Sequence, residues 1–139
     1  MPWALALIPD FLYPTEVTMT TPAPQHVIDF ANPQLAPVEF ITDDPKAVDT
    51  PYTARSWRHF VEPSKKATGG IWEAPPHLER CECDYDELCH LLEGQVRLTD
   101  SAGVSQQFTA GDTFVVAAGF KGTWENLTKV RKVFMILRG

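Results

Sequence analysis

The sequence predicts an all-β domain of short strands closed into a small barrel, and three observations point there. Between residues 86 and 124, apolar runs of strand length alternate with glycine-bearing breaks, as in Leu88 to Leu92 before Glu93-Gly94 and Val104 to Phe108 before Ala110-Gly111-Asp112. Short strands punctuated this regularly are the pattern of all-β sandwiches and barrels. From Thr21 to Pro51 the chain is rich in proline and turn-forming residues, which resist long helices. Its 139 residues fall in the range of a single domain.

Taken in order, Met1 to Pro14 is apolar and aromatic but does not make a targeting signal. The run Trp3 to Ile8 is too short for a secretory core, follows no basic residue and is broken by Pro9. A membrane span would need about 20 apolar residues. Met19-Thr20-Thr21-Pro22 reads as a native start, with residues 1–18 upstream of it. The proline-rich stretch that follows suits an arm along the surface, and residues 1–36 are assigned to this arm. Val38-Glu39-Phe40-Ile41 is a first short strand, and residues 37–139 form the barrel domain. Leu88 to Leu92 and Val96 to Thr99 flank Glu93-Gly94 and read as a hairpin, since glycine takes the positive φ of a tight turn. Asp100 to Gly103 turns into Val104 to Phe108, and Gly111-Asp112 breaks the chain before Thr113 to Ala117. Val130 to Leu137 is apolar on both faces apart from Arg131 and Lys132, so it reads as a strand covered on two sides, by another element or by a second subunit.

Gly94 and the Gly111-Asp112 turn, with Glu87 ahead and Gly119 behind, resemble the two halves of the cupin signature, which implies an RmlC-like jelly-roll β-barrel. More narrowly, several motifs resemble the (S)-ureidoglycine aminohydrolase-type branch of small cupins, which includes ethanolamine-utilization cupins. They are Trp72, Asp86-Glu87, Leu92-Glu93-Gly94, Gly119-Phe120-Lys121-Gly122-Thr123-Trp124 and Arg131-Lys132-Val133, within residues 70–137. The resemblance implies a homodimer formed through end strands and N-terminal arms. That aminohydrolase carries two barrels and depends on manganese, so its reaction does not transfer to a chain with one barrel.

The cupin metal site resembles a His-x-His pair, a glutamate three or four residues later and one further histidine. Glu87 stands where the glutamate does, but the histidine positions hold Cys81 and Cys83, or Arg80 and Glu82 on the longer spacing, and the third holds Gly122. The expectation is no metal cofactor. If one binds, Cys81, Cys83 and Glu87 are the donors, a set better suited to zinc than to manganese. His26, His59, His77 and His90 read as surface or loop residues. The pocket-lining candidates are Trp72, Cys81, Cys83, Tyr85, Lys121, Trp124 and Arg131. The aromatics among them either hold a small organic ligand or fill the barrel. Enclosed by rings, Glu87 is the candidate catalytic acid or base, unless a cation holds it ionised. Only one of Arg131 and Lys132 can face inward on a strand. Cys81 and Cys83 leave the same face, where a disulfide between them would be strained, and no histidine is placed to activate either as a nucleophile.

The formal charge of -6 and pI near 5.1 carry no basic stripe, which speaks against nucleic acid or an anionic membrane as partner. Three cysteines and no export signal suggest reduced thiols in the cytoplasm. Three functions remain: a small-metabolite-binding cupin without histidine-ligated metal, a hydrolase or isomerase acting on a small nitrogen-containing metabolite through Glu87, and a structural or regulatory subunit.

Overall fold

The computed structural model describes residues 26–139. The Trp3 to Ile8 run, the start at Met19 and most of the arm lie outside the described residues. Ten strands follow: β1 (Val38–Thr42), β2 (Tyr52–Val61), β3 (Ala67–Ala74), β4 (His77–Glu82), β5 (Asp86–Glu93), β6 (Gln95–Asp100), β7 (Ser105–Thr109), β8 (Thr113–Val116), β9 (Lys121–Asn126) and β10 (Val130–Leu137). They form a six-stranded sheet, β1-β2-β3-β10-β5-β8, and a four-stranded one, β4-β9-β6-β7. All named pairs are antiparallel. No helix occurs among the described residues, and the expected jelly-roll barrel is present.

The core lies between the sheets because successive side chains on a strand face opposite ways. Leu91, Val96, Trp124, Val130 and Phe134 are fully buried there. Each such side chain contributes roughly 1.5–3 kcal/mol by leaving water. Outside, Phe30 in the segment before β1 stacks on His59 of β2 at 5.1 Å.

One expectation needs correction. Strands β5 and β6 do not form a hairpin: β5 pairs with β10 and β8, whereas β6 pairs with β9 and β7. Gly94, at φ 95°, is instead the corner where the chain leaves one sheet for the other. A Cβ at Gly94 would lie 2.1 Å from the Lys129 carbonyl oxygen, so the corner needs glycine for space as well as for φ. Strand β10, expected to be covered on both faces by another element or by a second subunit, is fully buried by this chain on one face. Val130, Lys132, Phe134 and Ile136 point in, while Arg131, Val133 and Met135 are half-buried outside and Leu137 is exposed.

Candidate functional site

Lys132 is the side chain around which the interior is organised. Strands β3 and β5 flank β10, and a register shift between Arg131 and Lys132 sets Lys132 beside Leu91 and Trp72 with inward parity. Its Nζ reaches Glu87 Oε2 of β5 at 2.8 Å, with the two side chains 0% and 1% exposed. The same ammonium lies 4.7 Å from the centroid of the Trp72 ring and 4.2 Å from that of Trp124. These rings meet edge to face at 6.2 Å. A cation among ring faces is attracted by their quadrupoles, most strongly where water is excluded. Burial alone would lower the Lys132 pKa, but the acidic neighbours Cys89 and Glu87 more than offset it and hold the ammonium above the ordinary lysine value.

A second polar group sits nearer the start of β4. The Tyr52 hydroxyl donates to Glu79 Oε1, and Glu79 is 1% exposed. Burial pushes the Glu79 carboxyl up to about 7, against the opposing hydrogen bond from Tyr52. His77 stacks on Tyr52 with ring centroids 3.5 Å apart and meets Trp72 edge-on at 5.9 Å. Its Nδ1 lies 2.9 Å from the Pro75 carbonyl oxygen, which can only accept, so Nδ1 carries the hydrogen and Nε2 presents a lone pair. Burial lowers the His77 pKa to about 4, so the ring is neutral at pH 7.

Trp124 Nε1 donates to Asn126 Oδ1 at 2.7 Å, and Asn126 Nδ2 donates to the Ala74 and Pro75 carbonyls at 3.3 and 3.1 Å. That clamp fixes the indole against Lys132. Toward the opposite end of β4, Cys81, Cys83 and Tyr85 are buried, and the Arg138 guanidinium lies 4.9 Å over the Tyr85 ring. The hydrogen bond from the Cys81 thiol holds the Cys83 pKa below the usual thiol value. All three cysteines are free.

Of the sequence-derived candidates, Trp72, Trp124 and Glu87 meet around Lys132, and Cys81, Cys83 and Tyr85 face the core beside them. Lys121 and Arg131 do not line the interior. Lys121 is exposed on the outer side of β9. Arg131 turns outward to Glu73 at 3.1 Å and lies 4.8 Å over the Trp57 ring. His77, expected in a loop, begins β4 and packs on buried aromatics. Arg80 points away from the thiols, to Asp49 and to the Lys46 and Pro45 carbonyls. Sequence reasoning missed Tyr52, Glu79 and the inward choice of Lys132. For Glu79 a signal existed, since it shares strand parity with Cys81 and Cys83.

The metal that the barrel type implies does not fit these residues. Glu87 faces an ammonium, which repels a second cation. A Cβ at Gly122, where the third histidine would stand, would lie 1.9 Å from the Thr99 carbonyl oxygen, so no imidazole fits unless β6 moves. The Cys81 thiol sits 3.6 Å from the Gly122 carbonyl. Among the described residues no three His, Cys, Asp or Glu side chains group as a metal site, and Cys81, Cys83 and Glu87 are not brought together as one.

An apolar groove of about 320 Å³ runs between the free edges of β7 and β8 and includes Leu98, Phe108, Phe114 and Phe120. Phe114 packs 6.0 Å from the Trp124 ring, so the groove approaches the Lys132 site from outside.

Comparison with solved structures finds the same barrel in proteins from several bacteria. A protein of unknown function from Pseudomonas syringae pv. tomato superimposes with a TM-score of 0.67 at 26% identity, covering 78% of this chain and 46% of that one. This chain therefore spans less than half the length of that relative. EutQ of Clostridium difficile gives a TM-score of 0.56 at 16% identity, over 63% of this chain and 69% of that one. A putative ethanolamine utilization protein Q from Salmonella typhimurium gives 0.56 at 15% identity, over 74% and 96%. These two likenesses show the fold alone. No curated protein matches the chain. Residues 61–134, just over half of the chain, match the model of the EutQ-like cupin domain. The chain belongs to the EutQ-like cupin domain family.

Proposed function

We propose that the protein binds a small metabolite inside its barrel and does so without a histidine-ligated metal, the Lys132 ammonium standing where a metal's charge would act. The observation that carries this reading is the Lys132–Glu87 pair at 2.8 Å between the faces of Trp72 and Trp124. Rings with a few directed polar groups are how small-ligand sites are built. Trp72 Nε1 and Tyr85 Oη are buried with no hydrogen-bond partner. Each such atom costs about 1–3 kcal/mol, which a ligand that pairs it recovers. The groove beside Phe114 supplies the approach.

The ureidoglycine aminohydrolase-type motifs support a place near that branch, but no manganese step is derived, because the donors do not fit. An acid–base enzyme is the second reading, and one observation favours it: Glu79, pushed up to about 7, is poised to exchange protons near neutrality. Glu87, facing Lys132, is the poorer acid or base.

The half-buried outer face of β10 and exposed Leu88 and Val115 beside it support a homodimer. The free thiols fit a reducing, cytoplasmic setting, and the acidic charge fits the absence of nucleic acid as partner. No helix among the described residues is long and apolar enough to cross a membrane.

Tryptophan fluorescence of chelator-treated protein, titrated with a panel of small organic acids and amides, tests the proposal. At least one compound is expected to change the emission saturably, and to lose that effect in the Glu87→Leu/Lys132→Met double variant. A response that arises only after zinc or manganese is added would overturn it.

A further inference from the structure

The Glu79 end of the interior holds acceptors that the Lys132 site does not use. Glu79 Oε2 and His77 Nε2 are both buried without a hydrogen-bond partner, and the indole Nε1 of Trp72, whose ring contacts His77, is a donor in the same condition. Glu79 Oε1 is already engaged by Tyr52, so the carboxyl is oriented and its second oxygen remains for something else. The His77 tautomer is fixed by the Pro75 carbonyl, which leaves Nε2 able only to accept. Two acceptors, Glu79 Oε2 and His77 Nε2, beside one donor, Trp72 Nε1, and the rings of Tyr52 and Trp72 suit a small group that donates two hydrogen bonds and packs against rings, as an amine or amide nitrogen does.

An approach is offered by a pocket that shares no lining residue with the Phe114 groove. A surface pocket of about 540 Å³ is walled by His77, Pro76, Leu78, Asn126 and two carboxylates, Asp49 and Glu125, with no lysine or arginine in its lining. Both carboxylates bond to arginines, Asp49 to Arg80 at 3.1 Å and Glu125 to Arg97 at 2.7 Å, so the rim is not strongly anionic. His77 is the one group common to this pocket and to the buried cluster.

We propose that Glu79 and His77 form a binding subsite for the N–H group of a small amine or amide beside the Trp72 ring, reached through the pocket that His77 walls. This assigns a ligand chemistry to the interior and rests on the reading of the protein as a small-metabolite binder. It also separates two tasks: Lys132 and Glu87 present fixed charge, while Glu79 and His77 accept hydrogen bonds.

The test is nuclear magnetic resonance of the full chain titrated with methylammonium and, separately, with urea. The expected result is a saturable shift of the His77 Nε2 and Trp72 indole signals with at least one of them. Methylammonium alone identifies an amine site and urea alone an amide site; a response to both leaves the N–H group as the shared feature. Glu79→Gln, checked for folding by its spectrum, should weaken binding about tenfold, the loss of one hydrogen bond to a charged group. Neither probe shifting His77 or Trp72 overturns the subsite, as does a wild-type affinity retained in Glu79→Gln. Shifts confined to Trp124 and Lys132 also overturn it while leaving binding inside the barrel intact. Failure of the wider reading shows separately, as no compound of the fluorescence panel being bound.

Discussion

Lys132→Met tests the interior ion pair most sharply. The substitution keeps the length and apolar stem of the side chain but takes away the ammonium 2.8 Å from Glu87, in a place where the carboxyl is 1% exposed. Removing one member of a buried pair costs about 3–5 kcal/mol, because the other charge stays behind. The ring contacts at 4.7 and 4.2 Å are lost with the charge and act in the same direction. At roughly 4 °C per kcal/mol for a domain of this size, Tm should fall by about 12–20 °C at neutral pH. Glu87→Leu alone should cost a similar amount, since it strands the ammonium. The double variant replaces both charges by apolar groups of similar volume and should cost less than either single change, giving a coupling energy of about 3 kcal/mol. Chemical denaturation of the four proteins at neutral pH measures all of this. A Lys132→Met variant that loses less than about 1 kcal/mol, or a double variant that loses more than either single one, would refute the reasoning.

Other consequences are open to the same kind of measurement. Glu79 is pushed up to about 7 from an ordinary 4.5, so its contribution to stability is full below the ordinary value and lost as pH rises through 7. Glu79→Gln should flatten the stability profile between about pH 5 and 8, and an unchanged slope would contradict the burial of an ionisable group there. Gly122→Ala places a Cβ 1.9 Å from the Thr99 carbonyl and should destabilise the barrel by about 3 kcal/mol or more, read by denaturant titration. Gly111→Ala meets no atom within 4 Å, and its φ of 96° should limit the cost to about 1–2 kcal/mol. Sedimentation at micromolar concentration should give twice the 15.6 kDa chain mass, reduced to one chain in Met135→Glu; a 15.6 kDa wild type would remove the dimer.

Much of the barrel could be read from turn chemistry, and the errors have specific causes. The strands from Asp86 to Val116 are bounded by Gly94, Gly103 and Gly111, all at positive φ, so the glycines located the breaks. They did not say which strands pair, because a glycine corner between sheets and a glycine hairpin turn look alike in sequence. That is why β5 and β6 were paired in error. Strand β10 left its own parity undecided: Val133, Met135 and Leu137 are as apolar as Val130, Phe134 and Ile136, and only the set with Lys132 faces the core. The sequence therefore does not choose between Arg131 and Lys132, and Arg131, a pocket-lining candidate, has its place outside on Glu73. Trp72, Trp124 and Glu87 were legible because family-type motifs mark them. Tyr52 was not, since its pairing with Glu79 joins residues 27 apart, and Glu79 shares the parity of Cys81 and Cys83 but, as a lone glutamate on a strand, ordinarily reads as solvent-facing.

Metal analysis of the untagged protein, purified without chelators, bears most directly on the claim that Lys132 takes the place of a metal. The account predicts no zinc, iron or manganese near stoichiometric amounts in wild type. Near-stoichiometric metal in wild type that disappears in Glu87→Ala would contradict it, since Glu87 would then be a ligand and not the partner of an ammonium.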